Sequence, residues 1–160
     1  MGIKRRLFGD FMETREFLGI IHVAERLKDT LRHCTTSGRR IESVAEHSWR
    51  MSLMAMILRK EFPDVDMDKV VRMCIIHDLG ECFTGDIPTF KKTDLDRKTE
   101  DEFLAEWVKT MPAEVSCELQ SLYAEMEGQM SVEAYFGINR ETKSVIGRDW
   151  SLEFVALPYE

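Results

Sequence analysis

The run Val70-Val71-Arg72-Met73-Cys74-Ile75-Ile76, which delivers His77 and Asp78 side by side at its end, constrains this chain more than any other stretch. Almost wholly apolar, it reads as the central helix of a core. Ending such a helix on an imidazole and a carboxylate is costly unless charge or hydrogen bonds satisfy both groups there. Two more carboxylates, Glu81 and Asp86, follow within a segment that contains Gly80 and Gly85. Imidazoles and carboxylates are ligands for borderline divalent metals, so this helix end is a candidate site.

The rest of the chain supplies a helical frame for it. Phe17, Ile20, Ile21, Ala24 and Leu27 recur at helical spacing and predict an amphipathic helix within Phe11 to Lys28. A polar, turn-rich stretch from His33 to Arg40 follows. Ser43-Val44-Ala45-Glu46 is a capping-box signature. It opens a second helix that runs to about Lys60, with Trp49, Leu53, Met56 and Ile57 as its expected inner face. After the central helix, residues 80–93 read as a loop around Pro88. Further helices are expected near 94–110, 113–127 and 131–146, the last weakened by Gly137 and Asn139. No strand-length alternation and no internal repeat is visible. The expected fold is all-α: one helical bundle of about six helices, with residues 1–10 as an extension, 11–147 as the domain and 148–160 as a divergent tail.

At 160 residues the chain is long enough for one domain with a real core. A net charge of −7 argues against duplex nucleic acid as a partner, because phosphate backbones need a basic face. It leaves room for a small phosphorylated ligand held by one or two arginines. No apolar run approaches the length of a membrane span. Cys34, Cys74, Cys82 and Cys117 form no C-x-x-C pair, and no basic segment leads into an apolar one at the start. A cytoplasmic protein with reduced thiols is the expectation. The basic residues Arg39, Arg40, Lys91 and Lys92 lie in polar loops and read as solvent-facing.

His47, in the first turn of the second helix, can join His77 and Asp78 on one ion, because three ligands from two helix ends can converge. With Glu46-His47-Ser48, His77-Asp78-x-x-Glu81 and Thr84-Gly85-Asp86-Ile87-Pro88-Thr89 in place, the chain resembles the HD-domain metal-dependent phosphohydrolases. Within them it is most similar to the YfbR-like 5′-deoxynucleotidases, which also carry an arginine where Arg32 stands, fifteen residues before His47. The likeness extends over roughly residues 11 to 136.

The resemblance implies one divalent ion (Mn, Co, Fe, Ni, Zn or Mg) on His47, His77 and Asp78, a small nucleotide substrate and a homodimer. It also implies a phosphate clamp at Arg32, substrate contacts from His33, Asp86 and Thr89, and proton transfer or water positioning by Glu81 and Asp86. The order of acid and base is left open. His33 stands where family members often have an aromatic ring, typically tryptophan. The family's fourth ligand is an aspartate on a late helix; a gapless continuation puts Glu141 there, and a shifted register would bring Asp149. The leading expectation is a phosphohydrolase acting on (deoxy)nucleoside 5′-monophosphates. The other reading, prompted by the absent aspartate, is a catalytically silent module that binds a nucleotide or a protein.

Overall fold

The structure, a computed structural model, describes residues 12–88, 90–128 and 131–134. Helix α1 (Thr14–Ala24) tightens into a 3₁₀ turn, Glu25–Lys28, and is followed by strands β1 (Leu31–Thr35) and β2 (Ile41–Ser43). Then come α2 (Val44–Leu58), α3 (Met67–Ile76), the single turn α4 (Glu81–Thr84), α5 (Asp94–Lys109) and α6 (Ala113–Gly128). The helical bundle expected from the apolar periodicity is the observed architecture, with two departures.

The first departure is the antiparallel hairpin β1–β2, where only turns were expected. Its tip is a tight turn in which Arg39 N–H donates to Thr36 O at 2.9 Å and Thr36 N–H to Arg40 O at 2.8 Å. Arg39 sits at φ 60°, the left-handed conformation that a three-residue hairpin loop requires after its first turn. The second is α4, formed inside the segment read as a loop. Of the helix expected at 131–146, residues 132–134 are helical, residue 131 is a bend before them, and 135–146 lie outside the described residues.

Helix starts follow their polar signatures. Ser43 and Glu46 form the expected capping box at α2, with Glu46 N–H donating to Ser43 Oγ at 3.3 Å and Ser43 N–H to Glu46 Oε2 at 2.9 Å. Thr93 and Asp96 repeat the device at α5. Asp66 accepts from Lys69 N–H at 3.0 Å to start α3, and its own N–H donates to Glu133 Oε1 at 3.0 Å. Lys69 Nζ lies 2.8 Å from Glu125 and 3.6 Å from Glu133, tying the head of α3 to α6 and to the 131–134 segment.

Helix α3 is the centre of the core, with Val70, Met73, Cys74 and Ile76 buried. Met73 and Ile76 meet Leu122 and Met126 of α6, while Val70 and Cys74 meet Ala55 of α2. Leu79 packs against three apolar clusters at once, including Leu27, Val44 and Cys82 below the hairpin and Leu104 and Val108 of α5. The turn that bears the His-Asp pair is therefore bolted between all the layers.

The expected inner face of α2 is overturned. Trp49 is 67% exposed and Ile57 70%, with Leu53 and Met56 also in solvent, and the buried residues are Val44, Ser48, Ser52 and Ala55. Small side chains on that face let α2 lie close against α3. Phe17 and Ile21 of α1 and Phe103 of α5 are likewise exposed. No helix among the described residues is long and apolar enough to cross a membrane.

Candidate metal centre

The C-terminal turn of α3 builds the first half of the site. Helix ends leave carbonyls without partners. Here the Cys74 carbonyl accepts from His77 Nδ1 at 2.8 Å, and the Ile76 carbonyl accepts from the Tyr123 hydroxyl at 2.5 Å. A carbonyl can only accept, so this contact requires the proton on Nδ1 and leaves the Nε2 lone pair directed elsewhere. His77 Nε2 lies 3.0 Å from Asp78 Oδ2. Two acceptors at that separation repel unless a cation or a proton lies between them.

The start of α2 supplies the third group. His47 Nε2 is 3.9 Å from the same Asp78 oxygen, and the His47 and His77 ring centroids are 5.3 Å apart. One ligand atom from each of His47, His77 and Asp78 lies within 4.8 Å of the others, with Asp78 only 2% exposed. Two imidazoles and a carboxylate at this spacing suit a divalent cation, and an Nδ1–H bonded to a backbone carbonyl is the usual support of a metal-ligating histidine.

The hairpin brings a guanidinium beside these groups. Arg32 on β1 has Nε 3.6 Å from Glu42 Oε2 on β2 and Nη1 3.5 Å from Asp78 Oδ2. Its Nε is buried without a hydrogen-bond partner. Glu81 Oε2 and Asp86 Oδ2 are buried and partnerless in the same sense. Burial, and then the carboxylates of Asp78, Asp86 and Glu100, push the Glu81 carboxyl up to about 8, against a smaller opposing pull from Lys92. His33, the next residue on β1, has Nδ1 3.9 Å from Asp86 Oδ2 and packs edge-to-face with Phe90.

The structure thus brings together His47, His77, Asp78, Arg32, Glu81, Asp86 and His33. Thr89, Glu141 and Asp149 lie outside the described residues. Three contributors escaped the reading of the sequence. Glu42 is the cross-strand partner of Arg32, invisible without the hairpin. Lys92, expected in solvent, has a side chain only 3% exposed and forms an ion pair with Glu100. Glu100 also accepts from the Thr84 hydroxyl at 3.4 Å. Its side chain crosses Gly80 so closely that a Cβ there would stand 2.5 Å from Glu100 Cγ. Arg40 does face solvent, yet it grips Glu46, the residue before His47, through both carboxylate oxygens. That contact, with the Ser43 N–H after it, holds the Glu46 carboxyl down to about 2.

The chain is similar to several known proteins. A family model described as HD domain matches residues 24–148. The 5′-deoxynucleotidase HDDC2 of Homo sapiens is 34% identical over 100 residues, covering 61% of this chain and 48% of that protein. Its namesake from Dictyostelium discoideum is 33% identical over 101 residues, covering 58% of this chain and 53% of that protein. The chain spans about half the length of the curated relatives it matches. Among solved structures, a predicted metal-dependent phosphohydrolase from Magnetospirillum magnetotacticum superposes with a TM-score of 0.68 at 28% identity, covering 77% of this chain and 63% of that one.

Proposed function

The chain belongs to the HD domain family, and on that premise we propose that it is a phosphohydrolase requiring one divalent ion and releasing phosphate from (deoxy)nucleoside 5′-monophosphates. The observation that carries the reading is the juxtaposition of His77 Nε2 with Asp78 Oδ2 at 3.0 Å, closed by His47 and flanked by the half-buried Arg32, whose buried Nε makes no hydrogen bond. That combination suits a cation and a phosphate side by side. The names of the relatives, 5′-deoxynucleotidases and a metal-dependent phosphohydrolase, point to the same chemistry.

In this reading His47, His77 and Asp78 hold the ion, with Glu141, or Asp149 in a shifted register, as the candidate fourth ligand. The ion is Mn, Co, Fe, Ni, Zn or Mg, and when bound it supplies Lewis-acid charge for the phosphoryl oxygens and lowers the pKa of water. Arg32 clamps the phosphate with parallel N–H donors while Glu42 fixes the guanidinium plane. Glu81 and Asp86 carry the proton traffic of hydrolysis, each with a buried oxygen not committed to any other hydrogen bond. His33, Asp86 and Thr89 are the further contacts to the nucleotide. The protein acts in the cytoplasm as a homodimer. The outward face of α2, with Trp49, Leu53, Met56 and Ile57 exposed together, supports the dimer, because an apolar patch of that kind marks an association surface.

The test is phosphate release from a panel of deoxy- and ribonucleoside 5′-monophosphates with Mn, Co, Mg or Zn added. Metal analysis should find one ion per chain, lost in His77→Ala. Folded protein that turns over no nucleotide with any of these metals refutes the enzyme, and nucleotide binding without turnover would make the chain a silent binding module.

A further inference from the structure

We infer that Phe90, with His33, forms the seat on which the nucleobase of the substrate stacks; this rests on the nucleotide reading above and adds a specificity subsite to it. Phe90 is 76% exposed, more than any other large apolar residue among those described. A lone exposed phenylalanine needs no explanation. This one packs on His33, which shares strand β1 with Arg32 and reaches Asp86. Arg32 and Asp78 meet at 3.5 Å, and Asp86 and His33 at 3.9 Å. The His33 and Phe90 centroids are 5.9 Å apart with the rings at 89°.

The ends of this series of contacts differ in chemistry as the ends of a nucleotide do. The inner end has a guanidinium beside the candidate cation ligands and suits the phosphate. Its middle has Asp86 Oδ2, a buried acceptor without a hydrogen-bond partner, which suits a sugar hydroxyl. The outer end is a pair of rings, and rings are what a planar base stacks on. The edge-to-face packing braces Phe90 against His33, so the aromatic surface is partly ordered before a base arrives. Stacking of this kind tolerates any base, because every base has a π-face. The subsite therefore selects for the presence of a base, with the larger purines held more tightly than pyrimidines.

The experiment compares wild type, Phe90→Ala and Phe90→Tyr on deoxyadenosine 5′-monophosphate and on 2-deoxyribose 5-phosphate, which lacks the base. Binding of both compounds to the metal-loaded proteins is measured by calorimetry alongside turnover. The expected result for Phe90→Ala is a KM for the nucleotide raised about five- to a hundredfold, the span of base–aromatic stacking. Its kcat should stay within about twofold and its KM for the sugar phosphate should not change, while Phe90→Tyr should behave as wild type. Equal effects on both compounds, or none on the nucleotide, overturn the subsite. If wild type turns over neither compound, the enzymatic reading fails and calorimetry decides the subsite alone. Nucleotide affinity weakened selectively in Phe90→Ala then upholds it, and unchanged or absent nucleotide binding overturns it.

Discussion

Gly80 lies between the His-Asp pair and Glu81, and replacing it by alanine is a sharp test of how that turn is braced. Its backbone, at φ −59° and ψ −30°, is ordinary right-handed helix, so the backbone alone favours alanine by about 0.5–1 kcal/mol. The added Cβ would stand 2.5 Å from Glu100 Cγ, 3.2 Å from Oε1 and 3.3 Å from Cδ. Glu100 cannot retreat without drawing its carboxylate from Lys92 and from the Thr84 hydroxyl. Overpacking costs about 1–3 kcal/mol. Breaking a buried ion pair costs about 3–5 kcal/mol, and part of that is lost here as the pair is displaced rather than removed. The net expectation for Gly80→Ala is a destabilisation of about 2–4 kcal/mol, a fall in Tm on the order of 10 °C. Urea unfolding of wild type, Gly80→Ala, Glu100→Ala and the double variant measures the coupling. With Glu100 shortened the clash disappears, so Gly80→Ala should become neutral or stabilising by about 0.5–1 kcal/mol in that background. An equal loss in both backgrounds, or a gain in wild type, would refute the bracing.

Other expectations are quick to check. Arg32→Lys removes the planar fork and should lower kcat/KM by about ten- to a hundredfold, mainly through the phosphate; unchanged kinetics would remove Arg32 from the clamp. Arg39→Gly relieves a left-handed arginine and should raise stability by up to about 1 kcal/mol in thermal unfolding. The Asp66 N–H, and then Lys69, hold the Glu133 carboxyl below the ordinary range, and Lys69 does the same for Glu125. Depressed folded values mean stabilisation that is present above about pH 4.5 and lost as pH falls through the lower folded values. The stability gap between wild type and Glu133→Gln should therefore be full near neutrality and close below about pH 4.5, as read from denaturation at a series of pH values.

The cluster of His47, His77 and Asp78 was legible because its signal is local. His77-Asp78 closes an apolar helix, and Ser43-Glu46 caps the helix that starts with His47, so both ligand positions follow from short patterns. Arg32 came only with the family resemblance, and its cross-strand partner Glu42 was not legible, because that contact depends on pairing. Leu31-Arg32-His33 and Ile41-Glu42-Ser43 show no alternation strong enough to announce strands, yet only the hairpin sets Glu42 beside Arg32. Lys92 and Glu100 sit in charged runs that read as solvated surface, and nothing local tells that they meet under Gly80. The face of α2 was misjudged for a related reason. Trp49, Leu53, Met56 and Ile57 define an apolar stripe, but periodicity does not say what covers a stripe. Here Ser48, Ser52 and Ala55 go inward because close helix contact favours small side chains over large ones.

The hairpin that places Arg32 also offers a point of entry for engineering. Its tip, Ser37 to Arg39, is exposed, and among the described residues the contacts of the candidate metal centre come from elsewhere. Exposed loop tips with small polar residues are where chains accept inserted sequence. A reporter peptide or a second domain spliced between Ser37 and Gly38 would leave the ladder from Leu31 to Ser43 to carry the register, and with it the guanidinium. A working handle would then stand one hairpin's length from the metal centre.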